Sequence, residues 1–177
     1  ERDPATLAYR LGWRLFGLAA RVGESRLIAA APPVLRGLVR ELGESAHLSV
    51  RQGRQVLTLL SESPESTLHA PGRVGGLTPL AGTSAGRVLA LDLEAAELES
   101  LGLGEAAEAL EAARSLGYAI VREEFEPGLV AAAAPIRDAA GRVVAAVNVS
   151  APRFRFDDRL EQAARHVVAA AGTLSAV

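Results

Sequence analysis

The stretch Gly75-Gly76-Leu77-Thr78-Pro79-Leu80-Ala81-Gly82-Thr83-Ser84-Ala85-Gly86-Arg87-Val88-Leu89-Ala90-Leu91 holds the residues best suited to binding chemistry. Glycines and a proline interrupt the chain, Thr83-Ser84 offers an N-cap, and the apolar run that follows predicts a helix. A helix start carries unpaired N–H groups and the positive end of the macrodipole, so it attracts anions. Gly82 and Gly86 have no side chains to hold a ligand off that backbone. Small residues delivered to a helix N-terminus therefore suit a carboxylate or a phosphate. Taken by itself, the stretch is read more plainly as an ordinary capped helix after a tight turn.

Other chemistries find less to work with. Nucleophilic catalysis needs a Ser or Cys beside a positioned His. His47, His69 and His166 fall on a predicted hairpin, a loop and a helix, and no Gly-x-Ser-x-Gly elbow occurs. The chain has no Cys, which removes disulfides and thiolate metal sites and fits a reducing cytoplasm. No spacing of His and carboxylates suggests a metal site, and no glycine pattern suggests a nucleotide cofactor. The adjacent Glu123-Glu124 pair, if on a strand, faces opposite sides and cannot act together. His47 reads as a satisfied strand histidine rather than a ligand contact. The balance favours binding over catalysis.

The elements that must position these residues follow from hydrophobic period. Ala5 to Val22 reads as a terminal amphipathic helix with Leu11, Leu15, Leu18 and Val22 at helical spacing and Trp13 and Phe16 beside them. It suits a subunit or domain interface, or the chain's own core. Ser25 to Leu42 predicts a second helix that Pro32-Pro33 must start or kink and Gly43 ends. Ser45–Val50 and Gln55–Leu60 predict a hairpin about Gln52-Gly53, with His47 opposite Thr58 and Leu48 opposite Leu57. Residues 61–73 read as a loop with room for one short strand. Two short helices precede Gly117, and Tyr118–Val121, Leu129–Ile136 and Arg142–Ser150 are strands. With Arg137 opposite Arg142, Ala131 faces Asn148 and Leu129 faces Ser150, a polar pair on an alanine-lined strand face. A final helix covers about 157–174. The order predicts an α+β fold, a largely antiparallel sheet of about six strands flanked by helices.

Size and charge narrow the setting. The 177 residues fit one domain with its own core. A net charge of -2 gives no nucleic-acid-binding surface, and no apolar run is long enough to span a bilayer. The chain begins at Glu1 and contains no Met, which reads as a fragment or a processed product. Every basic side chain other than His is Arg and alanine is abundant, a genomic bias rather than chemistry.

In this order and spacing, several pieces resemble the effector-binding domain of the isocitrate-lyase-regulator (IclR) family of bacterial transcription regulators. They are Tyr9-Arg10-Leu11-Gly12, Leu42 to Leu48, Gly76 to Leu91, Gly117-Tyr118-Ala119, Glu124 to Gly128, Ala134 to Asp138 and Val147 to Ser150. The resemblance covers Tyr9 to Ser175. It implies a GAF-like fold, a linker helix over 1–24 at the end of a missing N-terminal winged helix-turn-helix, and an effector-binding domain over 25–177. It also implies a homodimer or tetramer in the cytoplasm, a small carboxylate effector, no enzyme activity and no membrane. DNA would be bound only through the missing domain. The site residues it implies are Thr78, Leu80, Ser84 and Ala85 on one side and Ala131, Asn148 and Ser150 on the other. Ala81 stands where many members have His, and Arg87 where many have Lys. Val121 and Ala131 replace residues that are polar in some members, which favours an acid with a sizeable apolar body, aromatic acids among them. The alternative is a module of the same fold that dimerises without a ligand.

Overall fold

A computed structural model describes Ala8, Tyr9, Arg14 and residues 26–177. The predicted terminal helix over 5–22 lies outside the described residues apart from the first three named. Helix α1 (Arg26–Leu42) leads into the hairpin β1 (Ser45–Gln52) and β2 (Gln55–Glu62), then a long loop and a short strand β3 (Leu77–Pro79). Helices α2 (Ser84–Leu89), α3 (Ala95–Ser100) and α4 (Ala107–Leu116) follow. Strands β4 (Ala119–Arg122), β5 (Leu129–Arg137) and β6 (Val143–Pro152) come next, before the short α5 (Arg153–Phe156) and the terminal α6 (Leu160–Ser175). The six strands form one sheet in the order β3-β2-β1-β6-β5-β4, antiparallel at every pairing.

Alternation along the strands sorts the side chains onto two faces. One face gathers Ala46 and Leu48 of β1, Val130, Ala132, Ala134 and Ile136 of β5, and Val147 and Val149 of β6. Against it pack Leu35, Leu38 and Leu42 of α1 and Leu160, Val167 and Leu174 of α6. The opposite face carries a smaller core in which Val56, Ala133 and Ala146 meet Leu80, Val88, Leu89 and Leu110. Beyond that core the second face is not filled, and its polar residues open into a cavity.

Three local expectations need correction. Of the two expectations for Pro32 and Pro33, to start the helix or to kink it, the first does not hold: α1 begins at Arg26 and runs through them. A helix docked by Ala31, Leu35, Leu38 and Leu42 tolerates two missing N–H donors, and Pro33 sits on its exposed side. The hairpin turns one residue later than expected, with Gln52 opposite Gln55 and Gly53 at a φ of +61°. Leu59 is then bulged out of the ladder, so His47 faces Ser61 rather than Thr58, and Leu48 faces Leu60. Between β5 and β6 a second irregularity at Ile136/Arg137 puts Ala131 opposite Ser150 and Ala133 opposite Asn148. The offset there is two residues, and an even slip leaves every side chain on its predicted face.

Candidate functional site

Thr83 caps α2 in the expected way. Its hydroxyl accepts from the Gly86 N–H at 3.1 Å, and its carbonyl accepts from the Arg87 N–H at 3.0 Å. Those two bonds leave the amides of Ser84 and Ala85 without backbone acceptors among the described residues. The Thr83 hydroxyl donates in turn to the Pro79 carbonyl at 3.0 Å, which ties the cap to β3. Gly82 turns the chain at a φ of +75°, and a Cβ there would meet the Glu124 carbonyl at 3.3 Å. Arg87 anchors the helix from its other side, donating to the Ile120 carbonyl at 2.9 Å and to Glu124 at 2.5 Å.

This helix start opens onto a cavity of about 580 Å³. Across it stand Asn148 and Ser150 of β6, with Ala131 of β5, His47 and Ser49 of β1, and Thr58 of β2. Six of the seven residues implied from sequence therefore line one space: Thr78, Ser84, Ala85, Ala131, Asn148 and Ser150. Leu80 does not. It is 1% exposed and packs behind α2 in the smaller core, so its part is to hold the helix in place. Val121, Leu68, Leu77, Phe125 and Leu129 supply apolar wall and rim, and Arg73 and Glu126 also line it. Among the described residues no group of His and carboxylates could hold a metal ion.

The strand side carries a hydrogen-bonded chain that sequence reasoning did not find. His47 is 5% exposed, and its ring spans two hydroxyls, Nδ1 to Ser61 Oγ at 3.0 Å and Nε2 to Ser150 Oγ at 2.9 Å. The Ser150 hydroxyl donates to the Ala70 carbonyl at 3.4 Å, a long contact. Burial lowers the His47 pKa from 6.5 to about 4, so the ring is neutral at pH 7. Gly72 lies directly over it; a Cβ at that position would sit 2.3 Å from His47 Nδ1. The Asn148 carboxamide is without a side-chain partner among the described residues, yet no polar side-chain atom there is both sealed and unpaired. Its amide is therefore reached from the cavity.

The family described as bacterial transcriptional regulator IclR, C-terminal, matches residues 19–107 and 103–176. The chain belongs to the IclR family. Relatives of this IclR C-terminal domain include the transcriptional regulator BhcR of Paracoccus denitrificans, 33% identical over 99% of this chain and 69% of that protein. The transcriptional repressor AllR of Escherichia coli is 29% identical over 84% of this chain and 63% of its own length. The chain thus spans about two thirds of these regulators. Among solved structures, Pseudomonas aeruginosa HmgR superposes with a TM-score of 0.74 at 28% identity, over 99% of this chain and 76% of that one. The IclR of Thermotoga maritima shares the fold, with a TM-score of 0.79 at 22% identity, over 99% and 77% of the two chains. The fold is the GAF-like α+β arrangement of IclR C-terminal domains, and the relatives are transcriptional regulators, not enzymes.

Thr58, Ser49 and the 68–73 segment were invisible to motif reading because they carry no spacing signal. His47 could have been found from its period: it alternates with Ala46 and Leu48, so it must point away from the main core.

Proposed function

We propose that residues 25–177 form the effector-sensing and oligomerisation domain of a regulator whose DNA-binding winged helix-turn-helix precedes Glu1, with residues 1–24 as the linker. The ligand is a small carboxylate with a sizeable apolar body, aromatic acids among the candidates. Its carboxylate accepts from the Ser84 and Ala85 amides, and the Asn148 and Ser150 side chains bond its other polar groups. Ala131, Val121 and Phe125 face its hydrocarbon. Binding favours one arrangement of subunits in a homodimer or tetramer, and the linker carries that bias to the DNA-binding domain. No described helix is long and apolar enough to cross a membrane, and the cytoplasm is the proposed setting.

One observation carries this reading: open amides at a helix start and two strand polar groups line the same cavity. Calorimetry with a panel of aromatic and short aliphatic acids tests it. Aromatic acids should bind more tightly than short ones; the reverse order rejects the apolar body, and no binding by any acid favours the ligand-free dimerisation module. Ser150→Ala and Asn148→Ala should each weaken binding between a few-fold and a few tens-fold, as the loss of a buried hydrogen bond does. Unchanged affinity in both moves the site elsewhere.

A sharper test removes a backbone donor. Ser84 is the first residue of α2, where proline is tolerated, and Thr83 has the extended φ of -110° and ψ of 144° that a residue before proline requires. Ser84→Pro deletes one N–H while leaving the helix intact. Acid affinity should fall roughly ten- to a hundredfold, since bonds to a charged group are worth about 1.5–3 kcal/mol. The melting temperature of the empty protein should stay within a few degrees. Full affinity in a folded Ser84→Pro variant removes the carboxylate from the helix start.

A further inference from the structure

The hydrogen-bonded chain through His47 has a direction, and the direction sets what the cavity can recognise. A carbonyl only accepts, so the proton between Ser150 and Ala70 belongs to the Ser150 hydroxyl. With the Ser150 proton on the Ala70 carbonyl, the bond between His47 Nε2 and Ser150 Oγ is donated by the imidazole. A neutral ring has a single N–H, so Nδ1 accepts from the Ser61 hydroxyl. Four groups on β1, β2, β6 and the 63–76 loop thereby share one polarity: Ser61 to His47, His47 to Ser150, Ser150 to Ala70.

We infer that His47 is a positioning residue of the cavity, whose Nε2–H occupies Ser150 Oγ so that the Ser150 hydroxyl presents a proton to the ligand. The inference rests on the reading that this cavity takes a ligand. The subsite at Ser150 accordingly receives a hydrogen-bond acceptor, such as a carbonyl, carboxylate or ether oxygen. A ligand group that can only donate, such as an ammonium, cannot take that proton and is left with the one lone pair of Ser150 Oγ that His47 does not occupy. The long 3.4 Å contact to Ala70 is the bond a ligand acceptor replaces, because a shorter and charge-assisted partner wins the proton. Two features hold the ring in this role. Burial keeps it neutral, and the ring bonds two hydroxyls and no charged side chain. Gly72 packs its backbone close over Nδ1, where a Cβ would sit 2.3 Å away, so the loop covers this edge of the ring.

Two measurements on the 177-residue chain test this. Imidazole nitrogen spectra of the ligand-free protein at pH 7 should show His47 with its proton on Nε2. A proton on Nδ1 overturns the inference, because Ser150 would then donate to the ring and turn only lone pairs to the cavity. The second measurement uses phenylpyruvate as probe, with calorimetry of His47→Leu, His47→Gln, Ser150→Ala and the double variant His47→Leu/Ser150→Ala. His47→Leu and Ser150→Ala should each lose about tenfold in affinity, and the double variant should lose no more than either alone. His47→Gln keeps an N–H near the Nε2 position and should bind within about threefold of wild type. Additive losses, or a His47→Gln variant as weak as His47→Leu, overturn the inference even if both variants fold. Failure of the wild-type chain to bind phenylpyruvate counts against the function proposed for the cavity, and the nitrogen spectrum alone then decides the role of His47.

Discussion

Gly86→Ala is expected to cost this domain at least about 3 kcal/mol and to remove the donor wall of the cavity. The reason is spatial, not conformational. A Cβ at Gly86 would lie 1.9 Å from the Leu80 carbonyl oxygen and 2.7 Å from both the Leu80 carbonyl carbon and Thr83 Oγ1. Backbone, not the end of a flexible side chain, occupies that space. To admit one methyl group, the start of α2 must lift away from the turn after β3. The Thr83 cap then breaks, and Leu80, Val88 and Leu89 lose their packing. Gly37→Ala supplies the control, since nothing stands within 4 Å of a Cβ there on α1. It should be neutral or stabilising by up to about 1 kcal/mol. Urea unfolding of the two variants beside wild type decides the matter. Equal midpoints for Gly86→Ala and Gly37→Ala would mean that the close approach of α2 to Leu80 is not a property of the folded protein.

The second large effect is on pH. The His47 ring titrates near 6.5 in the unfolded chain and near 4 in the native one. Between those values the unfolded chain binds a proton that the folded chain refuses, so stability rises with pH across that window. Its contribution is complete above about 6.5 and is lost as pH falls to about 4. The shift corresponds to about 3 kcal/mol. Asp138, Asp157 and Glu161 are held below the ordinary carboxylate range by hydrogen bonds from arginines, and their losses begin at lower pH. Denaturant unfolding from pH 7 to pH 4 should therefore show a decline that His47→Gln largely flattens. Parallel curves for the two proteins would show that the ring charges without hindrance in the native state.

Strand faces were legible from residue types, because a period of two is indifferent to register errors of two residues. Asn148 and Ser150 were placed on the cavity face although Ala131 was set opposite the wrong one of them. The helix start at Ser84 was legible because Thr83 is a good N-cap and glycines flank it. What escaped depends on groups far apart in sequence. Nothing in the local pattern joins β1 to β6, yet that pairing alone brings His47 to Ser150. Leu59 looks like any other strand leucine, and only its bulge sends Ser61 toward the histidine. Leu80 misled for the opposite reason: it belongs to the motif but points into hydrocarbon.

The alternation along β6 has a mechanical consequence. Asn148 and Ser150 look into the cavity, while Val147 and Val149 look out of the other side onto α1 and α6. The wall between the cavity and the helices is thus a single strand thick. A molecule that draws Ser150 inward tugs on Val149 through one peptide link, and Val149 sits in the floor on which both long helices rest. Any shift of β6 on filling the proposed site would be passed directly to the core between the sheet and the two long helices.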